Sequence, residues 1–334
     1  MSPRKRVAFA MTTAALNRVF PPRQIDAIAE TADVLGHIVE FESDRARGIL
    51  ADVEVLITGW GSPRVDTRVL AAAPNLEAIL HSAGTIKPYV SEAVVHSGIR
   101  VSTAAAANAV PVAEYTVAMI VLAAKRVLPM ARHYRDARRA FDVESSYPQL
   151  GAFEKRVGIV GASTIGRLVI ELLRAYRFEV VVYDPYLSDD DAAHLAVESV
   201  GLDELLATSD VVSVHAPSLP STHNLIDARG INLMRVDATL INTARGEIID
   251  QDALTARVVA GELYAILDVT VPWILEAEHP LYVAERALLT PHIAGSYGTE
   301  LGRLAESVRE ELARLSSGDD LAHGLTAARF AVTA

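Results

Sequence analysis

The polar residues best suited to chemistry follow short apolar runs in the second half of the sequence. Arg245 and His292 come shortly after two of these runs, and Asp268 lies near the end of a third. A guanidinium binds a carboxylate through two parallel hydrogen bonds and polarises the neighbouring carbonyl. An imidazole can protonate an alkoxide as it forms, and a carboxylate can accept from an amide. Together these side chains suit hydride transfer to a 2-oxo acid, although each alone has a structural cap as its alternative.

A glycine-rich stretch predicts a dinucleotide site ahead of these residues. In VGIVGASTIG, residues 157–166, an apolar run ends at Gly161 and a helical pattern begins by Thr164. The dinucleotide fingerprint needs three small positions, and Gly161 and Gly166 fill the first and last of them. Ser163 fills the middle position, where its hydroxyl could donate to a phosphate oxygen. A strand–helix turn without a ligand is the structural alternative.

The cofactor is predicted from the acid that ends the next apolar run. Asp184 follows the run 180–183. A carboxylate at this place accepts hydrogen bonds from the ribose hydroxyls and repels a 2′-phosphate. The sequence therefore predicts NAD rather than NADP.

Near-continuous apolar runs predict the strands that position these residues. The runs lie at 7–10, 38–41, 55–58, 78–81, 100–103, 157–160, 180–183, 211–214, 240–242, 266–269 and 288–290. Such runs are typical of parallel strands buried on both faces, and their spacing leaves room for crossover helices. We therefore predict two doubly wound α/β units, with ligands at the carboxyl ends of the strands. Long helices are predicted after Pro111 and over about 299–315.

Composition excludes several classes of protein. The chain of 334 residues is 51% apolar and has no cysteine, which excludes disulfide scaffolds, zinc–thiolate sites, iron–sulfur clusters and cysteine nucleophiles. A net charge of −11 disfavours nucleic-acid binding. The histidines show no metal-binding spacing, so no metal site is predicted. No apolar run approaches the roughly 20 residues of a membrane span, and the apolar start is interpreted as a first strand. We expect a cytoplasmic protein with no membrane partner.

Five stretches resemble the D-isomer-specific 2-hydroxyacid dehydrogenases. They are VAEYTVAMIVLAAKR, VGIVGASTIG, DVVSVHAPSLPSTHNLI, LINTARGEIID and LLTPHIAG. The resemblance implies a Rossmann NAD domain, 105–295, inserted into a flavodoxin-like substrate domain formed by 1–104 and 296–334. It also implies a homodimer assembled through the NAD domain.

The resemblance assigns a role to each site residue. Arg245 would bind the substrate carboxylate and carbonyl, and His292 would be the acid/base. Asp184 would bind the ribose and Asp268 the nicotinamide amide. The other residues expected to contact the cofactor are Gly161, Ser163, Thr164, Ile165, Gly166, His215, Ala216, Pro217, Thr222, Thr243, Ala244 and Gly295.

Two segments depart from the family pattern. In the first, HSAGTIKP, residues 81–88, the loop expected to bind the substrate carboxylate is shortened to Ser82, Ala83, Gly84 and Thr85. In the second, the acid that usually follows the Asp268 strand is missing.

Trp273 stands in the place of that acid, which normally pairs with the catalytic histidine. Three explanations stay open: Glu276 or Glu278 replaces the acid, His292 works alone with a more acid optimum for reduction, or the chemistry is lost and only NAD binding remains. We favour the second. Trp273, with Trp60, would then form an apolar wall for a larger 2-oxo acid.

The function predicted is that of an NAD(H)-dependent 2-hydroxyacid dehydrogenase acting as a 2-oxo acid reductase. The alternative is a catalytically weak or inactive NAD-binding sensor, similar to the family's corepressor branch. Formate or phosphite dehydrogenation would use the same scaffold but has no specific support in the sequence.

Overall fold

The computed structural model describes residues 4–332, which divide into two compact units. One unit is built from both ends of the chain, up to Asn108 and from Ser296 onward, and the other runs from Ala109 to Gly295. The domain boundaries predicted from the resemblance lie at 104/105 and 295/296.

The first unit contains a five-stranded parallel sheet in the order β2-β1-β3-β4-β5. Its strands are β1 Lys5–Ala10, β2 Ala32–Ile38, β3 Val55–Thr58, β4 Ala78–His81 and β5 Arg100–Thr103. This order is that of the flavodoxin-like doubly wound fold.

The predicted strand at 38–41 is wrong, because the strand β2 ends at Ile38. β2 lies at the edge of the sheet and most of its residues are half-buried or exposed, so it has no continuous apolar run. Its register shifts opposite Val7 and Ala8 of β1, near Gly36, whose φ is +145°.

The second unit contains a seven-stranded parallel sheet in the order β12-β11-β10-β9-β6-β7-β8. Its strands are β6 Arg156–Val160, β7 Glu179–Tyr183, β8 Glu198–Ser199, β9 Val211–Val214, β10 Thr239–Asn242, β11 Tyr264–Leu267 and β12 Ala287–Leu289. The strand order reverses beside β6, as in the Rossmann fold. The predicted fold class, two doubly wound parallel-sheet units, is confirmed.

Helices cover both faces of each sheet in the pattern expected for crossover connections. They are α1 Thr13–Val19, α2 Pro22–Ala29, α3 Asp44–Asp52, α4 Thr67–Ala72, α5 Glu92–Val95, α6 Ala105–Ala124, α7 Val127–Ala137, α8 Val143–Ser146, α9 Thr164–Leu173, α10 Asp189–Leu195, α11 Leu202–Thr208, α12 Ala228–Leu233, α13 Gln251–Val259, α14 Leu301–Ser317 and α15 Ala327–Val332.

Helix α6 begins earlier than the sequence predicted. Pro111 was expected in the first turn, but the helix starts at Ala105 and Pro111 lies inside it. Proline removes one backbone donor from the helix interior. By length and composition α6 could cross a membrane, a test that the core helix of a soluble protein also passes. Val117 and Ile120 of α6 are buried in the core of the second unit.

Helix α14 belongs to the core of the first unit. Leu304, Val308 and Leu312 recur at helical spacing and are buried with Phe9 and Leu80 of the sheet. The apolar stripe of this helix is therefore buried within the same unit as the first five strands.

Candidate functional site

The glycine turn after β6 allows close backbone approach. Gly161 has a φ of +99°, and a Cβ there would lie 2.6 Å from the amide nitrogen of Ala216. A Cβ on Gly166 would overlap the carbonyl oxygen of Gly161. Only glycine fits at either position without displacing the backbone.

Ser163 caps helix α9 at this turn. Its Oγ accepts a hydrogen bond from the amide of Gly166 at 3.3 Å, which leaves the hydroxyl hydrogen able to donate. In the described chain, the amides of Ser163, Thr164 and Ile165 donate to no protein acceptor. A helix N-terminus with unpaired amides suits a phosphate group, so these residues fit the pyrophosphate of a dinucleotide.

Asp184 joins the glycine turn to the end of β7. Its Oδ2 accepts from the amide of Ala162 and its Oδ1 from the amide of Tyr186, both at 2.8 Å. An ionised carboxylate has about four acceptor positions, so each oxygen keeps one for a ribose hydroxyl. Asp184 therefore fits its predicted role and also fixes the turn.

His215 lies directly after β9, and its backbone lies close to Gly161 in the glycine turn. The residue is 4% exposed, its Nε2 lies 2.9 Å from Ser213 Oγ, and its Nδ1 is buried without a partner in the described chain. Burial lowers the pKa of His215 to about 3, so the ring is neutral. The Thr222 hydroxyl donates to the carbonyl oxygen of Pro217 at 2.6 Å and closes the loop.

The loop after β10 holds Arg245. The Asn242 side chain donates to the Arg245 carbonyl at 2.8 Å and accepts from the Ala244 amide at 3.0 Å. The Thr243 hydroxyl lies 3.0 Å from that of Thr116 on α6. Burial lowers the pKa of Arg245, and Glu247 opposes the shift. The guanidinium is thus a partly buried cation on a fixed loop.

Asp268 follows β11 and fixes the segment that carries His292. It is 2% exposed and accepts from the Thr290 hydroxyl at 2.6 Å, the Ile293 amide at 2.8 Å and the Ala294 amide at 2.9 Å. These bonds flank His292, whose φ of +56° is uncommon for a residue with a side chain. Three donors leave about one acceptor position on the carboxylate, enough for the predicted nicotinamide amide.

The imidazole of His292 lies against the indole of Trp273. The ring centroids are 4.5 Å apart and the planes are inclined by 30°. Burial lowers the pKa of His292, the negative charge of Asp268 opposes this, and the positive charge of Arg245 lowers it further. The Nδ1 atom is buried without a partner in the described chain, so Nε2 is the nitrogen available to a ligand.

The two acids considered as replacements lie in an exposed segment. Glu276 and Glu278 are both exposed, and among the described residues neither makes a hydrogen bond or ion pair with His292. The structure thus brings Arg245, Asp268 and His292 to one edge of the seven-stranded sheet, but neither of these acids to the imidazole.

The residues predicted to bind the substrate in the first unit follow β3 and β4. The Ser82 amide and hydroxyl both donate to the Thr58 carbonyl, at 2.8 and 2.9 Å. Trp60 lies between Gly59 and Gly61, and its carbonyl accepts from the Thr12 amide at 3.3 Å. In the described part of this loop, the amides of Ala83 and Gly84 have no protein acceptor.

Two residues that shape the site were given no role by the sequence reasoning. Asn242 fixes the arginine loop, and the Tyr115 hydroxyl lies 2.9 Å from Thr290 Oγ1, next to Asp268. Asn242 was visible as the polar residue that ends an apolar run. Tyr115 gave no signal, because its partner is distant in sequence.

The sequence matches a known family over the second unit. Residues 117–294 match the model of the NAD binding domain of the D-isomer specific 2-hydroxyacid dehydrogenases. This stretch includes the glycine turn and the loops of Arg245 and His292. The NAD-binding domain predicted from the glycine turn is therefore confirmed.

Curated proteins resemble the chain over most of its length. It is 36% identical to D-3-phosphoglycerate dehydrogenase of Mycobacterium tuberculosis over 296 residues, 85% of this chain and 55% of that protein. It is 29% identical to hydroxypyruvate reductase of Thermotoga maritima over 280 residues, 81% of this chain and 88% of that protein. The chain spans about half the length of the mycobacterial relative.

Solved structures show the same architecture. The TT0316 protein of Thermus thermophilus is 30% identical with a TM-score of 0.73, covering 96% of this chain and 100% of that one. The NAD-dependent formate dehydrogenase of Staphylococcus aureus, solved with NAD, is 26% identical with a TM-score of 0.68, covering 94% and 95%. A phosphoglycerate oxidoreductase of Rhizobium etli, 22% identical with a TM-score of 0.82, shares the fold.

Proposed function

Because this chain belongs to the D-isomer specific 2-hydroxyacid dehydrogenase family, we propose that it is an NAD(H)-dependent 2-oxo acid reductase. The observation that carries the proposal is the placement of Arg245 and His292 at one edge of the seven-stranded sheet, after β10 and β12, on either side of the Asp268 loop that follows β11. The positive charge of Arg245 also lowers the pKa of His292. A partly buried cation beside a titratable ring suits the binding of a carboxylate and the protonation of its neighbouring carbonyl.

In this proposal, Arg245 binds the substrate carboxylate and polarises the carbonyl. His292 holds a proton on Nε2 and delivers it to the carbonyl oxygen as the hydroxyl forms. When bound, the cofactor supplies the hydride, so one 2-oxo acid, one NADH and one proton give one 2-hydroxy acid and one NAD⁺. In the reverse direction, neutral His292 accepts the proton.

The glycine turn, Asp184 and Asp268 hold the cofactor. The amides of Ser163, Thr164 and Ile165 would donate to the pyrophosphate, and the carboxylate of Asp184 would accept from the ribose hydroxyls. The cofactor is also contacted by Gly161, Gly166, His215, Ala216, Pro217, Thr222, Thr243, Ala244 and Gly295. Because a carboxylate repels a 2′-phosphate, the enzyme uses NADH in preference to NADPH.

The first unit serves as the substrate domain in this proposal. The loop Ser82–Thr85 offers the unpaired amides of Ala83 and Gly84 to the substrate carboxylate. Trp60 and Trp273 present apolar rings to the substrate side chain, which suits a larger 2-oxo acid. The protein works in the cytoplasm without nucleic-acid or membrane partners.

The second unit carries the surface proposed for the homodimer. Helix α7 has an apolar and a polar face, yet none of its residues is buried, and Val127 and Tyr134 are exposed. An exposed apolar helix face can serve as an interaction surface. Docking of a second copy on this helix would cover them.

The test is NADH oxidation, followed by absorbance, with 2-oxo acids from glyoxylate to phenylpyruvate between pH 5 and 8. Turnover that Arg245→Ala abolishes, with NADH affinity retained, supports the reductase. A preference for 2-oxo acids with long or aromatic side chains supports the proposed apolar contacts of Trp60 and Trp273 with the substrate.

The second candidate is an NAD-binding sensor with weak or no catalysis. The observation that favours it is the stacking of Trp273 on His292, in the place where the family usually has an acid. NADH binding without turnover on any 2-oxo acid would select this candidate over the first.

A further inference from the structure

His81 is a buried histidine that no part of the proposed mechanism uses. It ends β4 and is 1% exposed. Its Nδ1 lies 2.9 Å from Thr58 Oγ1 and its Nε2 lies 3.0 Å from the carbonyl oxygen of Thr85. A carbonyl oxygen only accepts, so Nε2 carries the hydrogen and, in the neutral ring, Nδ1 accepts from the Thr58 hydroxyl. Burial lowers the pKa of His81 to about 4, which keeps the ring neutral at neutral pH.

The bond from His81 to Thr85 closes the Ser82–Thr85 loop from within. Ser82 is tied at the start of the loop, since its amide and hydroxyl both donate to the Thr58 carbonyl. The His81 ring also lies beside the Tyr89 ring, with 5.2 Å between centroids, and the Tyr89 hydroxyl accepts from the Gly61 amide at 3.4 Å. His81 therefore links the loop after β4 to the end of β3.

The closed loop holds two backbone donors that the protein leaves unpaired. In the described chain, the amides of Ala83 and Gly84 have no acceptor, and Ala83 is buried. A buried amide without an acceptor is costly, and consecutive amides in a turn form a concave site for an anion. Such a site works only if the loop keeps its shape before the anion arrives.

We propose that His81 is a positioning residue that holds the amides of Ala83 and Gly84 in the arrangement required by the substrate carboxylate. It does so through its bond to Thr85 and does not touch the substrate. This inference rests on the proposed function, because it takes the Ser82–Thr85 loop as part of the substrate site.

Three variants distinguish the roles of the two hydrogen bonds made by the His81 ring. His81→Asn keeps an acceptor for the Thr58 hydroxyl but is too short to reach the Thr85 carbonyl. His81→Gln places an amide donor at about the reach of Nε2. Thr58→Val removes the bond to Nδ1 and leaves the bond to Thr85, so it is the matched control.

We expect His81→Asn to raise KM for the 2-oxo acid by about five- to twentyfold, as the loss of one positioning hydrogen bond allows. The fall in kcat should be smaller, and the NADH dissociation constant should not change. His81→Gln should recover most of the loss, and Thr58→Val should show little of it. An unchanged KM in His81→Asn, or no rescue by Gln, would overturn the proposal.

Amide hydrogen exchange of residues 82–86 gives a readout that does not need turnover. Exchange should be faster in His81→Asn than in the wild type and near the wild-type rate in His81→Gln. Equal exchange rates in all three proteins would refute the proposal that His81 fixes the loop. If the wild type reduces no 2-oxo acid, the proposed function fails, while the exchange experiment still decides whether His81 fixes the loop.

Discussion

The indole of Trp273 stacks on the imidazole of His292, with ring centroids 4.5 Å apart. The indole is itself 66% exposed, so it covers one face of the imidazole while remaining open to solvent on its other side. An apolar ring offers no negative charge to stabilise the imidazolium, and burial already lowers the pKa of His292. Asp268 is the acid that opposes this shift, but its oxygens are engaged by the loop around His292.

Replacing Trp273 with an acid should restore the missing charge. In Trp273→Glu, a carboxylate near the imidazole raises the pKa of His292, so the proposed reduction of 2-oxo acids should continue to higher pH. We expect the pH at which kcat/KM falls on the alkaline side of the profile to rise by about one unit, the usual effect of a neighbouring opposite charge. The measurement is the pH profile of NADH oxidation.

Trp273→Gln is the control for this substitution, because it removes the indole without adding charge. A profile that shifts equally in the Gln and Glu variants would show that the loss of the ring, and not the gain of a carboxylate, changes the pKa. In that case position 273 is not where a catalytic acid acts.

The two directions of the reaction should depend on pH with opposite signs. Reduction needs protonated His292, so its kcat/KM should fall as pH rises through the pKa of His292, which lies below the usual histidine range. Oxidation needs the neutral ring and should rise over the same interval. Parallel profiles in both directions would exclude His292 as the acid/base.

Motifs predicted the second unit better than the first. The family resemblance and the NAD cofactor follow from the glycine turn and from strand-end residues such as Arg245, and both are confirmed. The apolar runs located the buried strands because both faces of a parallel sheet are covered. Strand β2 was misplaced because it lies at the edge of its sheet. Most of its residues are half-buried or exposed, so they form no continuous apolar run.

The local geometry of the site was less accessible from sequence. The stack of Trp273 on His292 and the bond between Tyr115 and Thr290 join residues distant along the chain, which no spacing rule connects. Pro111 misled the assignment of α6, because proline usually begins a helix and here lies inside a long one.

Asp184 should control both cofactor choice and cofactor affinity. Asp184→Ser removes the charge that repels a 2′-phosphate, so the ratio of NADPH to NADH affinity should rise. It also frees the amide of Ala162 or that of Tyr186, so NADH affinity should fall by about tenfold, roughly the effect of losing one or two hydrogen bonds to a charged group. Dissociation constants from cofactor fluorescence test both effects.

Asp184→Asn separates the two effects, because it keeps one acceptor while it removes the charge. If this variant binds NADPH no better than the wild type does, the carboxylate does not select the cofactor.

The buried, neutral ring of His81 should make the first unit less stable at acid pH. The pKa of His81 is lowered to about 4 by burial, whereas an unfolded histidine titrates near 6.5. The unfolded state therefore binds a proton first, so stability is full above about pH 6.5 and is lost as pH falls towards 4. The loss reaches about 3 kcal/mol at most, at 1.36 kcal/mol per unit.

Urea unfolding of the first unit checks this prediction. The chain has two tryptophans, so in a Trp273→Phe background Trp60 reports the first unit alone. Adding His81→Gln should flatten the dependence of the free energy of unfolding on pH between about 6 and 4.5. An unchanged slope would mean that His81 is not the group that takes up the proton.

The Tyr115 hydroxyl should support the His292 segment through Thr290. Since the Thr290 hydroxyl donates to Asp268 at 2.6 Å, its oxygen accepts from Tyr115 at 2.9 Å. Burial raises the pKa of Tyr115, so the donor keeps its proton at all pH values of interest. Tyr115→Phe removes one hydrogen bond without changing the ring, and should cost about 1 kcal/mol of stability.

We expect kcat/KM to fall about two- to tenfold in this variant, because Asp268 becomes less firmly placed beside His292. Tyr176→Phe, at an exposed ring, is the matched control and should leave both quantities unchanged. Loss of stability without any change in kcat/KM would mean that the chain from Tyr115 to Asp268 holds α6 against the sheet but does not reach the imidazole. A fall in kcat/KM at unchanged NADH affinity would instead place Tyr115 among the residues that orient the acid/base.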